Sequence, residues 1–204
     1  TALNFPGESE GILKHWTDLW GSERVTVAYG QGFAATPIQM VSAVNAIAND
    51  GMYIEPSLVK GYVDEDGDLV EAPVPASHEV VRSDVAIEVQ GMMRRVVCDG
   101  TGHLAQEGVE NFSVAGKTGT GLKAQPGGGY TDASGNRVYY ASFAGFFPAE
   151  DPEITVLVSI DEPPAGDINR FGGTAAAPVF AGLVPVIAHE LSIQPPATTT
   201  PCAG

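Results

Sequence analysis

The tetrad Lys117-Thr118-Gly119-Thr120 places a cation, two hydroxyls and a residue without a side chain at the end of an apolar stretch. That set suits recognition of an acyl donor bearing a carboxylate. A strand edge offers backbone N–H and C=O groups with which a peptide substrate can pair as an added strand. Lys117 supplies positive potential, and the Thr118 and Thr120 hydroxyls can donate to a carboxylate. Gly119 leaves room for close approach to the backbone, and a backbone N–H here can serve an oxyanion hole. Gly116-Lys117-Thr118 also matches the close of the phosphate loop G-x-x-x-x-G-K-[ST]. The first glycine of that pattern falls on Asn111, so the turn that cradles phosphate is missing. A K-T-G triplet is short enough to arise by chance as a solvated strand end, so its meaning depends on context.

Other groups with chemical potential do not cluster. His15, His78, His103 and His189 are scattered without ligand spacing, and no metal site is expected. Asp64-Glu65-Asp66-Gly67-Asp68 resembles a calcium loop superficially, but it lacks the required order and the closing Glu and reads as a hairpin turn. Asp161-Glu162, before Pro163-Pro164, reads as a solvated turn. Cys98 lies in an apolar helical pattern and reads as core, whereas Cys202 lies in the tail. The two can pair, but an unbridged state is the expectation, and so few cysteines leave the redox compartment open.

The 204 residues, 44% of them hydrophobic, suit one globular domain. Ten Lys+Arg against 25 Asp+Glu give a formal net charge of −15. Without a basic run, nucleic acid and anionic lipid are not expected as partners. No run of about 18 apolar residues is present, so no membrane-spanning helix is expected within the chain. Residue 1 is Thr and no signal peptide opens the chain, which fits an internal fragment, a processed chain or an incompletely known gene.

The elements that must position the tetrad follow from periodicity. Trp16 and Trp20 are four apart, as on one helical turn. Thr36-Pro37 reads as N-cap and first position of a helix running from Ile38 to Ala48, ended by Asn49-Asp50-Gly51. Residues 52–82 read as short strands and loops. Ser83 is expected to cap a second helix with Val85, Val89, Met92, Met93, Val96 and Val97 as its apolar stripe, the two methionines filling core. Phe112–Lys117, Val138–Phe147 and Glu153–Ile160 read as three adjacent antiparallel strands. Residues 121–137 form a long Gly-rich hairpin connection. Thr174–Leu191 is predicted to form a closing amphipathic helix despite Pro178 and Pro185. The result is an α+β arrangement, an antiparallel β-sheet flanked by helices. Residues 194–204 read as a disordered Pro/Thr-rich tail.

Six segments, in this order, resemble the transpeptidase domain of penicillin-binding proteins: FPGESEGIL at 5–13, AYGQGFAATPIQMVSAVNAIANDGMY at 28–53, GTGHLA at 100–105, VAGKTGT at 114–120, ASFAGFFPAEDPEI at 141–154 and GGTAAAPVF at 172–180. The resemblance covers roughly residues 1–190 and is nearest to the monofunctional, division-type (class B) members. It implies the penicillin-binding/serine β-lactamase-like fold, with residues 1–193 as the C-terminal part of the domain. It also implies a serine D,D-transpeptidase that cross-links peptidoglycan stem peptides through an acyl-serine, without metal or organic cofactor. Lys117 and Thr120 then act in catalysis: Lys117 beside the serine network, the Thr120 amide in the oxyanion hole. Lys117, Thr118, Gly119 and Thr120 bind substrate, with the two threonines on the carboxylate. Stem peptides and β-lactams are the implied partners, together with division-machinery membrane proteins. The implied location is outside the cell membrane, with an anchor upstream.

The family's S-x-x-K and S-x-N motifs belong before K-T-G-T. Ser57-Leu58-Val59-Lys60 and Ser134-Gly135-Asn136 match by letters only: the first follows Pro56 after the GQG segment, and the second falls in the hairpin beyond the tetrad. Both true motifs, and the first strands of the fold, are expected before residue 1, leaving a sheet edge without its partner. Two other readings remain open on sequence alone. One is a non-catalytic penicillin-recognition or division-scaffold module; the other is a serine β-lactamase or D,D-carboxypeptidase.

Overall fold

A computed structural model describes residues 1, 3, 5–164, 168–199 and 202. The helices are α1 (Glu23–Thr26), α2 (Pro37–Ala48), α3 (Ser83–Cys98) and α4 (Ala177–Glu190). The strands are β1 (Met52–Ile54), β2 (Gly61–Val63), β3 (Leu69–Glu71), β4 (Ser77–Glu79), β5 (Ala115–Leu122), β6 (Tyr139–Phe147) and β7 (Ile154–Asp161).

Helix α2 starts where its sequence signals say. The Thr36 hydroxyl accepts from the Gln39 N–H (3.3 Å) while Gln39 Oε1 accepts from the Thr36 N–H (2.8 Å), a reciprocal capping box with Pro37 in the first turn. Gln39 Nε2 also donates to the Glu10 carbonyl (2.9 Å), which ties the N-terminal segment to the helix. Helix α3 departs from expectation at its start. Arg82 occupies the N-cap without a side-chain capping bond, its guanidinium pairing instead with Asp84 (2.9 Å), and Ser83 is already helical. Its buried stripe is Ala86, Met93 and Val97. Met93 fills core as expected, but Met92 lies on the outer side, 55% exposed. Trp16 and Trp20 do not share a helical turn, because the 3₁₀ turn there ends at Asp18. Asp64–Asp68 joins β2 to β3 as a hairpin, with Asp64 Oδ1 accepting from the Asp66 and Asp68 amides at 3.0 and 2.9 Å and Gly67 at φ +89°.

The main sheet has the order β5-β6-β7, antiparallel throughout. Strand β5 begins three residues later than expected and runs on to Leu122, so the tetrad is mid-strand rather than at a strand end. The reason lies in polar satisfaction of the backbone. The Val114 N–H donates to Gln106 Oε1 (3.0 Å) and its carbonyl accepts from Arg94 Nη1 (2.9 Å). With both groups committed to side chains, Val114 stays out of the ladder. The closing helix begins earlier than Thr174, with a wide π-helical turn at Gly172–Ala176 that runs into α4. Pro178 is the second residue of α4, just where the wide turn gives way to α geometry, and Pro185 is accommodated inside the helix.

Alternation divides the sheet between two cores. On one face Phe143, Phe147 and Val158 meet Phe180 and Val184 of α4, with the Phe143 and Phe180 rings edge-to-face at 4.9 Å. On the other, Ala115 and Phe146 meet Ala48 of α2 and Met93 of α3. The continuous helix Gly172–Glu190 is long and apolar enough to cross a membrane, unlike the expectation from sequence. Its buried Phe180, Val184 and Ala188 explain that composition as sheet-facing core.

The cysteines also depart from expectation. Cys98 and Cys202 form a disulfide, with Cα atoms 5.0 Å apart across a sequence separation of 104. Cys98 terminates α3, where its side chain is half-buried rather than core. Sequence spacing alone could not report this proximity, which depends on the chain after α4 returning to the end of α3. Closing so long a loop removes chain entropy from the unfolded state. In the oxidised protein, thiol titration in denaturant should find no free cysteine. Cys202→Ser should lower unfolding stability by about 2–4 kcal/mol in a denaturant melt.

Candidate active site

The register of β5 on β6 decides where each tetrad side chain goes. Lys117 lies opposite Ala144, Thr118 opposite Phe143, Gly119 opposite Ser142 and Thr120 opposite Ala141. Thr118 and Thr120 therefore share the α4 face with Phe143, while Lys117 and Gly119 share the opposite face with Ser142. The other edge of β5 has no strand partner among the described residues. A ligand lying along that edge meets the ammonium from one face and the hydroxyls from the other.

Against this strand lies a cleft of about 620 Å³. Lys117 through Gly121, Tyr140, Ser142 and Ser159 form its sheet side, and Tyr29, Gln31, Phe33 and Met40 face them from the segment leading into α2. Lys117 is the only charged residue lining it among the described residues. A second cavity of about 620 Å³ lies between residues 108–112 and the C-terminal half of α4. Apolar Val109, Phe112, Val184 and Ile193 dominate its walls, and it lacks a comparable convergence of donors.

Hydrogen bonding leaves the tetrad rich in free donors. Lys117 Nζ donates to the Thr118 carbonyl (2.9 Å), so two of its three protons remain available. The Thr118 and Thr101 hydroxyls are 2.8 Å apart. That contact uses one of their two protons and leaves the other. Thr120 Oγ1 accepts from the Gly172 N–H (3.1 Å), and among the described residues no acceptor takes its own proton. Donors without a nearby carboxylate suit an anionic ligand.

Outside the cleft, Lys123 bonds Asp161 (2.8 Å) and Glu162 (2.9 Å), and those two carboxylates hold its ammonium pKa above the ordinary lysine value. The Asp161-Glu162 turn is therefore an ion-paired rim rather than a purely solvated one. The letter matches stay apart from the site. Ser57 Oγ donates to the Val59 carbonyl (3.1 Å) in an exposed loop. Ser134 and Asn136 sit in a hairpin turn where both amides donate to Asp132 Oδ1.

The sequence model of the penicillin-binding protein transpeptidase domain matches residues 1–184. The chain belongs to that family. It is 35% identical over 198 residues to stage V sporulation protein D of Bacillus subtilis, covering 96% of this chain and 29% of that protein. It is 32% identical over 203 residues to the peptidoglycan D,D-transpeptidase FtsI of Escherichia coli, covering 98% of this chain and 31% of that protein. Among solved structures, penicillin-binding protein 3 of Mycobacterium tuberculosis in complex with aztreonam superposes with a TM-score of 0.80 at 32% identity, over 100% of this chain and 46% of that one. This transpeptidase-domain chain thus spans about a third or less of the length of the curated relatives it matches. The expected fold class, helices flanking an antiparallel sheet, agrees with those structures.

Sequence reasoning located the tetrad but missed Thr101, Tyr140, Ser142 and Ser159 as its neighbours. Their proximity depends on strand register and on the path into α4, and no local motif carries either.

The two glycines flanking Lys117-Thr118 answer to different constraints. A Cβ at Gly116 would stand 2.4 Å from Phe143 Cζ and 2.8 Å from the Ala144 carbonyl, whereas one at Gly119 would meet only the Ser142 hydroxyl, at 2.5 Å. Gly116→Ala should destabilise the fold by about 1–3 kcal/mol through overpacking. Gly119→Ala should cost less than Gly116→Ala, and Ser142→Ala should rescue it. Thermal melts of the three variants check the contrast.

Proposed function

We propose that this chain carries the substrate-binding edge of a peptidoglycan D,D-transpeptidase. In this reading a serine attacks the carbonyl of the penultimate D-alanine of a stem peptide. The terminal D-alanine leaves, and an amine from a neighbouring peptide then takes the acyl group. Lys117 supplies the field beside the serine, and the hydroxyls of Thr118 and Thr120 bind the carboxylate. Gly119 leaves the strand open to the peptide, and the Thr120 amide stabilises the oxyanion. β-Lactams enter by the same carboxylate contact.

The observation that carries the reading is the edge of β5 that has no strand partner among the described residues. Along it lie the Lys117 ammonium on one face and unspent hydroxyl protons on the other, beside a cleft lined by no other charged residue among the described residues, in a protein of net charge −15. The names of the relatives support it: FtsI of Escherichia coli is a peptidoglycan D,D-transpeptidase, and the Mycobacterium tuberculosis protein was crystallised with a β-lactam. The cleft serines Ser142 and Ser159 stand in no S-x-x-K pattern, so the nucleophile and its lysine are assigned to the remainder of the full-length protein. We place that protein in the cell membrane with this domain outside it, working with division-machinery membrane proteins in septum synthesis. The Cys98–Cys202 bridge suits such a non-reducing compartment.

The chain of residues 1–204 alone should form no denaturation-resistant adduct with a fluorescent penicillin. Stable stoichiometric labelling mapped to Ser57, Ser142 or Ser159 would refute the assignment of the nucleophile.

A carboxylate leaving water needs charge-assisted hydrogen bonds in return, each worth about 1.5–3 kcal/mol. In the full-length protein Thr120→Val, which keeps shape and removes the donor, should slow acylation by a chromogenic β-lactam roughly tenfold to a hundredfold. Lys117→Ala should cost more and leave the unfolding temperature unchanged, whereas Thr120→Val also strips the Gly172 amide of its acceptor and should lower that temperature modestly while the protein stays folded. Wild-type acylation rates in both variants would sink the reading. Release of D-alanine from a stem peptide by the wild type separates a transpeptidase from a penicillin sensor.

A further inference from the structure

We propose that Gly172 and Gly173 are positioning residues that aim the Thr120 and Thr118 hydroxyls at the substrate carboxylate. The proposal deepens the function argued above and rests on it.

Thr120 Oγ1 accepts from the Gly172 N–H at 3.1 Å. A hydroxyl carries one proton and two lone pairs. With one lone pair held by that amide, rotation about Cβ–Oγ no longer scans freely, and the proton is turned away from the amide. The amide also belongs to the first turn of the continuous helix Gly172–Glu190, so the positive end of the helix dipole lies behind the same hydroxyl. Both effects strengthen donation to an anion.

The approach demands glycine. A Cβ at position 172 would lie 2.2 Å from the Ser142 carbonyl and 2.4 Å from the Gly119 carbonyl. A Cβ at position 173 would lie 2.1 Å from the Thr101 carbonyl and 3.6 Å from Thr118 Cγ2. Position 172 thus presses on the tetrad strand itself. Position 173 presses on the loop whose Thr101 hydroxyl shares a proton with Thr118 at 2.8 Å. The wide turn Gly172–Ala176 closes through the Ala177 N–H on the Gly172 carbonyl, a local departure from α geometry in the turn that meets the strand. Just before it the Arg170 guanidinium lies over the Tyr139 and Phe171 rings, at 5.1 and 5.3 Å, and fixes the entry to the turn.

The test compares acylation of the full-length protein by a chromogenic cephalosporin and by its carboxylate methyl ester. The wild type should prefer the acid. Gly172→Ala should lower the acid-to-ester ratio about tenfold, the loss expected for one hydrogen bond to a charge. Thr120→Val should lower the same ratio, and adding Gly172→Ala to it should lower the ratio no further. Gly182→Ala, on the exposed side of α4 with open space around the new methyl, should keep the wild-type ratio. If Gly172→Ala keeps the ratio while Thr120→Val loses it, the positioning role is wrong and the carboxylate reading stands. If Thr120→Val keeps it, the carboxylate reading fails and this inference with it. Should Gly172→Ala not fold, amide exchange at Gly172 reads the same bond. Thr120→Val should speed that exchange about tenfold relative to wild type, and unchanged protection overturns the proposal.

Discussion

Phe143 sets the register on which the site depends. Its ring is fully buried, edge-to-face with Phe180, close enough to Gly116 that a methyl group there has no room, and within 3.1 Å of where a Cβ at Gly102 would stand. Side chains alternate across a sheet, so a slip of one residue between β5 and β6 would send Thr118 and Thr120 to the α2–α3 face and Lys117 to the α4 face. Such a slip would also break the Gly172 contact with Thr120 and the Thr101 contact with Thr118. One aromatic side chain in the core thereby settles the direction of three polar groups at an open edge.

The electrostatics follow from the same placement. A chain with net charge −15 repels anions at long range, yet the cleft lining holds a lone ammonium and no carboxylate among the described residues. The nearby acidic pair, Asp161 and Glu162, is occupied by Lys123. Acidity elsewhere on the surface is therefore compatible with an anion-accepting edge, because attraction at contact range is set by the few charges that face the ligand rather than by their sum.

Side chains from distant segments finish what the strands leave undone. Arg94 and Gln106 satisfy the Val114 backbone and stop β5 from starting earlier. The disulfide binds the chain after α4 to the end of α3, immediately before the loop that carries Thr101 to Thr118. These pairings span from 8 residues for Gln106–Val114 to 104 for the disulfide, so most of them are closed by tertiary packing rather than by a local turn.

What the sequence by itself determined is local. Thr36, Pro37 and Gln39 specify the start of α2 because the capping box closes within three residues. Asp64 and Gly67 specify the β2–β3 turn. Apolar runs placed β6 and β7 within one residue at each end, and Lys117-Thr118-Gly119-Thr120 marked the strand proposed to bind substrate. The tertiary structure alone decided that Thr118 and Thr120 share a face with α4, that Ser142 lies beneath Gly119, and that Met92 points outwards. It also decided that Cys98 meets Cys202 and that the Gly172 amide reaches Thr120. The division has a physical cause. Caps and turns are hydrogen bonds closed within a few residues, whereas register, face and bridge are set by packing between segments tens of residues apart, which local residue patterns do not encode.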